Sequence, residues 1–82
     1  MPIDYTRLRS LTARELIGAL KKDGFILDRQ TGSHQLYYHS DGRRVTVSSH
    51  AGVTFKIKTL KTMIEVQAKW NEDDLRRLKL LK

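Results

Sequence analysis

The chain has 82 residues, and its 16 Lys+Arg against 9 Asp+Glu give a formal net charge of +7 and a pI of about 10.1. That length leaves no room for a second core, and with no cysteine present a disulfide framework and a thiolate metal site are excluded. No run approaches the ~20 apolar residues of a membrane helix and no apolar signal region follows Met1, so a single soluble, cytoplasmic domain over residues 1–82 is expected.

Met1 to Ser10 reads as an irregular lead-in with scattered apolar residues, Ile3, Tyr5 and Leu8. Thr12-Ala13-Arg14-Glu15 has capping-box spacing, and Leu16, Ile17 and Leu20 follow at helical intervals. Lys21-Lys22 suit the negative end of a helix dipole, and Gly24 can supply a left-handed stop. A first helix over Ala13 to Asp23 is predicted. Phe25 to Gln30 begins apolar and turns polar, as a short strand would. Thr31-Gly32-Ser33 is turn chemistry. His34 to His39 fits a second strand, with His34, Leu36 and Tyr38 on one face and Gln35, Tyr37 and His39 on the other. Ser40-Asp41-Gly42-Arg43 is a hairpin signal, and Arg44 to Val47 returns as a third strand with Val45 and Val47 inward.

Ser48 to Phe55 reads as a loop carrying His50 and Gly52. From about Lys58 the helical period returns, with Leu60, Met63, Ile64 and Val66 on one face. Asn71 can cap a last helix whose first turn holds Glu72, Asp73 and Asp74 and whose buried stripe is Leu75, Leu78 and Leu81. The expected class is α+β: helices covering one face of a three-stranded antiparallel sheet.

Chemistry concentrates around His34. Histidine's ordinary pKa, about 6.5, lets it take and give a proton at neutral pH. Gly32 and Ser33 precede it, and exposed amides in such a turn can hold a phosphate oxygen. The plainer reading of a lone histidine at a strand start is a packing or surface residue. His39, beside the hairpin turn, reads as a surface residue, and His50 is left open. His34 and His39 fall on opposite faces of a strand and no acidic cluster accompanies them, so neither a metal site nor any cofactor is expected. Ser33-His34 does not form a nucleophile–base pair, because neighbours on an extended chain point apart.

The basic residues form three groups, Lys21-Lys22, Arg43-Arg44 and Lys56-Lys58-Lys61, with Tyr37 and Tyr38 between the first two. Such groups with interleaved aromatics grip a backbone and stack bases. The plainer reading makes Tyr38 a core residue and the lysines solvated. Charge alone leaves nucleic acid and an acidic protein partner evenly matched. RNA is favoured for the group because a ribose 2′-hydroxyl offers a histidine base something to act on.

The strings Glu15-Leu16-Ile17, Leu20-Lys21-Lys22-Asp23-Gly24-Phe25, Arg29-Gln30-Thr31-Gly32-Ser33-His34 and Asp41 to Val47, followed by His50, closely resemble the HicA toxin family over about Leu11 to Leu81. The resemblance implies a double-stranded-RNA-binding-domain-like fold with a short extra C-terminal helix. It implies a toxin of a type II toxin–antitoxin module, an mRNA interferase that needs no metal and depends on one histidine, here His34. It further implies a HicB-like antitoxin as partner, with DNA reached only through that antitoxin. The chain departs from the family in having Gln35 after the histidine, Ser48-Ser49 where a proline is common, and Lys58-Thr59-Leu60 where Gly-Thr-Leu usually opens the long helix. Arg29, Lys56 and Lys58 are the expected charge-offsetting groups. Gln30, Gly32, Ser33, Arg43 and Lys61 are further RNA-contact candidates, with His50 as an auxiliary. The competing expectations are a non-catalytic RNA-binding domain of the same fold and a purely protein-binding domain.

Overall fold

The computed structural model describes residues 3–48 and 55–81. After a single 3-10 turn at Tyr5–Leu8, the elements are α1 (Ala13–Lys22), β1 (Ile26–Thr31), β2 (His34–Tyr38), β3 (Arg44–Ser48), α2 (Ile57–Lys61) and α3 (Glu72–Arg77). α2 runs on as a π-helical segment over Thr62–Gln67. The strands form one antiparallel sheet in the order β1-β2-β3, as expected. The lead-in is more ordered than expected, because its turn carries Leu8 into the core at 1% exposure. Tyr5 also hydrogen-bonds Glu65 of the π-helical segment.

The first helix starts and stops on local chemistry. Glu15 N–H donates to Thr12 Oγ1 at 3.2 Å and Thr12 N–H donates to Glu15 Oε1 at 3.2 Å, a closed capping box. At the other end Phe25 N–H reaches the Leu20 carbonyl at 2.9 Å and Gly24 N–H the Lys21 carbonyl at 3.1 Å, a Schellman motif around Asp23. Gly24 sits at φ +104°, and a Cβ there would come within 3.0 Å of His39 Nε2. Only glycine meets both conditions.

The two hairpins use different turns. Thr31 pairs with His34 across two residues, and Gly32 has φ +59° while Ser33 is not left-handed. This is the pattern of a type II′ turn with glycine first. It makes His34 the first residue of β2. Between β2 and β3 the loop is Ser40 to Gly42, closed by His39 N–H to the Arg43 carbonyl at 2.9 Å and by Gly42 N–H to the His39 carbonyl at 2.9 Å. Gly42 takes φ +99°, as in a three-residue hairpin loop.

The register decides which residues face the helices. Tyr37 pairs with Val45 and Gln35 with Val47. Tyr37, Val45 and Val47 are 2%, 1% and 0% exposed, in one core with Leu16, Leu20, Leu60, Ile64 and Leu75. The core tyrosine is therefore Tyr37, not Tyr38. Its hydroxyl donates to Gln35 Oε1 at 2.8 Å, and burial raises its pKa. Val66, grouped by period with Leu60 and Ile64, is instead 65% exposed. The π-helical widening, seen in Ala68 N–H to the Met63 carbonyl at 2.8 Å, breaks the 3.6-residue period at that point.

α3 begins as expected at Asn71, whose side chain accepts from Asp74 N–H at 2.9 Å while Asp74 Oδ2 accepts from Asn71 N–H at 3.0 Å. Leu75, Leu78 and Leu81 are buried. No described helix is long and apolar enough to cross a membrane.

Candidate nucleic-acid interface

The sheet face away from the helices is a three-by-three array set by the pairing register. Thr31, His34 and Ser48 form its first row, Arg29, Leu36 and Thr46 its second, and Ile26, Tyr38 and Arg44 its third. Rows lie about 6.6 Å apart and strands about 4.8 Å apart. His34, Arg29, Thr46 and Arg44 are exposed, Leu36 and Tyr38 are half-buried, and Ile26 is 68% exposed. The array holds two arginines and a histidine and no carboxylate. The sheet's one acidic residue, Asp28, is the extra residue at the β1 bulge between Leu27 and Arg29.

His34 stands at the corner of this face, following the II′ turn. The residue is exposed, and among the described residues its ring has no hydrogen-bond partner. Arg29 lies one row away on the neighbouring strand. Arg44 lies two rows away, its guanidinium carbon 5.5 Å from the Tyr38 ring centroid, within cation–π range. Lys58 shares a groove with Thr46 at the outer edge of β3. There the Thr46 N–H is covered by Gln67 Oε1 at 3.1 Å, which blunts the strand edge.

Other candidates lie elsewhere. Gln30 pairs with Gln35, hence on the opposite face from His34, and its Nε2 donates to the Gly32 carbonyl at 3.2 Å. Arg43 is not a free cation. Its Nη2 lies 3.2 Å from Asp23 Oδ2 and its Nε 2.7 Å from Asp41 Oδ2. Nη1 donates to the Ala68 carbonyl, and the guanidinium covers the Phe25 ring at 5.0 Å. Unlike Arg29 and Arg44, Arg43 thus has its donors engaged within the fold, and it does not belong to the array. Lys56 is the residue before α2 and Lys61 its last; both are exposed, and neither belongs to the array. His50 lies outside the described residues.

His39 also departs from expectation. It is half-buried, its Nδ1 accepts from Asp41 N–H at 3.1 Å and its Nε2 lies 3.0 Å from the Asp23 carbonyl. Nδ1 also lies 3.1 Å from Asp41 Oδ1. Its ring packs edge-on against Phe25 at 5.0 Å. His39 is a structural clasp between α1 and the second hairpin. Among the described residues no cluster of three or more histidines and acids is placed to hold a metal.

The model of the family described as "HicA toxin of bacterial toxin-antitoxin" matches residues 13–70. The chain belongs to the HicA toxin family. That match starts at the first residue of α1 and ends at Trp70, so it takes in the whole sheet and leaves α3 outside. As a HicA toxin, the chain is the toxin component of a bacterial toxin–antitoxin pair. No curated protein matches it.

Sequence reasoning placed Tyr38 on the His34 face but missed Arg44 beside it. The signal was present in two places. Strand alternation already grouped Tyr38 with His34, and Val45 was already assigned inward. Pairing Val45 with Tyr37 through the second hairpin completes the inference.

Proposed function

We propose that this HicA toxin is an mRNA interferase that cleaves single-stranded RNA in the cytoplasm, with His34 as general base and no resident cofactor. What supports this reading is the exposed ring of His34, without a hydrogen-bond partner among the described residues, on the sheet face that also carries Arg29 and Arg44. In the proposed reaction a ribose 2′-oxygen attacks the adjacent phosphorus as its proton passes to His34, and the bond from phosphorus to the 5′-oxygen breaks. The departing oxygen takes a proton from water. A 2′,3′-cyclic phosphate and a 5′-hydroxyl result. General-base assistance of this kind contributes about 10²–10⁴-fold.

Arg29 is assigned to the scissile phosphate, where a guanidinium opposes the charge that develops on its oxygens. The amides of Gly32 and Ser33 adjoin the same corner, and Lys58 extends the positive rim past β3. A HicB-like antitoxin is the proposed protein partner.

The test is to replace His34 with Ala, confirm the fold by circular dichroism, and assay cleavage of a single-stranded RNA. Cleavage should fall by at least about 10²-fold. Cleavage that survives removes His34 from the mechanism. A 2′-deoxy substitution at the cut position should block the parent protein, and a product ending in a cyclic phosphate is expected. A parent chain that binds RNA without cutting it would establish the non-catalytic alternative.

A further inference from the structure

We infer that the Tyr38–Arg44 row of the open sheet face is a nucleobase-stacking subsite for single-stranded RNA, set apart from the scissile position. The inference rests on the nuclease reading for the identity of its ligand, but its residues are different ones. Tyr38 is paired with Arg44 on β3 and with Ile26 on β1, and the Arg44 guanidinium lies 5.5 Å from the ring centroid. Tyr38 is half-buried although it lies on the sheet face away from the described helices. The guanidinium thus lies over the aromatic ring, and Ile26 is its register partner on β1.

Three observations select RNA as the occupant. The array carries Arg29, Arg44 and His34 with no carboxylate among its nine paired positions, on a chain of net charge +7, which complements a polyanion. A partly exposed aromatic on a sheet is an arrangement on which single-stranded bases stack, and a guanidinium over it adds cation–π and phosphate contacts. The platform also lies on the same strand and face as His34, four residues away, or about 13 Å. A chain lying across the face would place a flanking base, not the attacking ribose, on Tyr38. The row therefore acts on affinity and on the choice of cut position without taking part in bond breaking.

The experiment uses the full chain carrying His34→Ala, so that binding is measured without cleavage. A short fluorescein-labelled single-stranded RNA of mixed sequence is titrated by anisotropy. Adding Tyr38→Ala should weaken binding by about 5- to 150-fold, the span of one lost base stack, while Tyr38→Phe or Tyr38→Trp restores it. Adding Arg44→Gln should flatten the logarithmic salt dependence by about 0.7, one phosphate contact on a single strand. Arg14→Gln, on α1 and on the helical side of the sheet, should leave both unchanged. With His34 intact, Tyr38→Ala should also redistribute the cut positions.

Binding within about twofold of the parent after Tyr38→Ala overturns the inference, since one stack is worth more than that, and so does failure of Phe to restore it. If His34→Ala abolishes cleavage while Tyr38→Ala changes nothing, the nuclease reading stands and the subsite falls. If the wild-type chain binds RNA but never cuts it, the nuclease reading falls while the subsite is still decided by the Tyr38 titration. Loss of binding to the module's antitoxin with RNA affinity unchanged assigns the face to a protein and overturns the subsite.

Discussion

The indole N–H of Trp70 donates to Asp23 Oδ2 across 2.9 Å, joining the residue where the family match ends to the C-cap of α1. The other carboxylate oxygen of Asp23 accepts from Arg77 of α3 at 2.8 Å, and Arg43 approaches Oδ2 at 3.2 Å. One side chain, 9% exposed, thus holds the first helix, the second hairpin and the last helix together.

Replacing Asp23 with Ala leaves a buried indole donor without its acceptor and takes one ion-pair partner each from Arg43 and Arg77. A loss of about 1–3 kcal/mol is expected, lowering Tm by on the order of 10 °C for a domain of this size. The pH dependence follows from the same contacts. Burial raises the pKa of Asp23, but hydrogen bonds from Trp70 and Arg77 and the charges of Arg43 and Arg77 bring it below the ordinary 3.8. The unfolded chain therefore takes up this proton first, so the stabilisation is complete above about pH 4 and is lost as pH falls through the folded value. Thermal melts from neutral to strongly acidic pH should show the wild-type midpoint dropping below about pH 4 and a flatter profile for Asp23→Ala.

Arg43 and Arg29 should behave oppositely although both are arginines of the hairpin region. Arg43→Gln breaks contacts to Asp23, Asp41 and the Ala68 carbonyl, so its Tm should fall. Arg29→Gln, exposed on the open face, should stay within about 0.5 kcal/mol of wild type while RNA cleavage drops about 10- to 100-fold, the worth of a charged phosphate contact. Equal Tm for the two variants would contradict the assignment of Arg43 to the clasp.

Two glycines make a matched pair. Gly32 lies at φ +59° with nothing within 4 Å of an added Cβ, so Gly32→Ala suffers from backbone conformation and not from a clash. It should lose about 1–2 kcal/mol in urea unfolding, and cleavage should fall with it because the turn sets His34 in place. Gly18, exposed within α1, also has open space around its Cβ. There Gly18→Ala should gain roughly 0.5–1 kcal/mol through helix propensity and leave cleavage unaltered.

Adjacent tyrosines test the face assignment. Tyr37, 2% exposed, should cost about 3–5 kcal/mol when cut back to Ala, as large aromatic core deletions do. Tyr38→Ala should cost under about 1.5 kcal/mol by the same differential-scanning measurement, since its side chain is only half-buried.

Most elements were legible because their signals are local. Thr12 and Glu15 cap a helix through bonds that span three residues, Gly24 ends it, and Asn71 with Asp74 repeats the device at α3. Val45 and Val47 were inward by alternation alone. What escaped was contact between distant stretches. Arg43 looked like a phosphate ligand because nothing in its own neighbourhood shows Asp23 twenty residues earlier or Ala68 twenty-five residues later. His39 looked exposed because its partners are a carbonyl at the end of α1 and the Phe25 ring. Val66 looked buried because the helical period was extended through a segment that widens into a π-helix.

The amino-acid order by itself determined the helix ends, the two hairpins, the family, and the position of His34 next to a glycine turn. These depend on φ preferences and on hydrogen bonds between near neighbours. Only the tertiary structure decided which tyrosine is core, which arginine is locked within the fold, and which sheet face the described helices cover. Those outcomes depend on strand register and on where the helices pack, and neither is encoded within any single stretch of the chain.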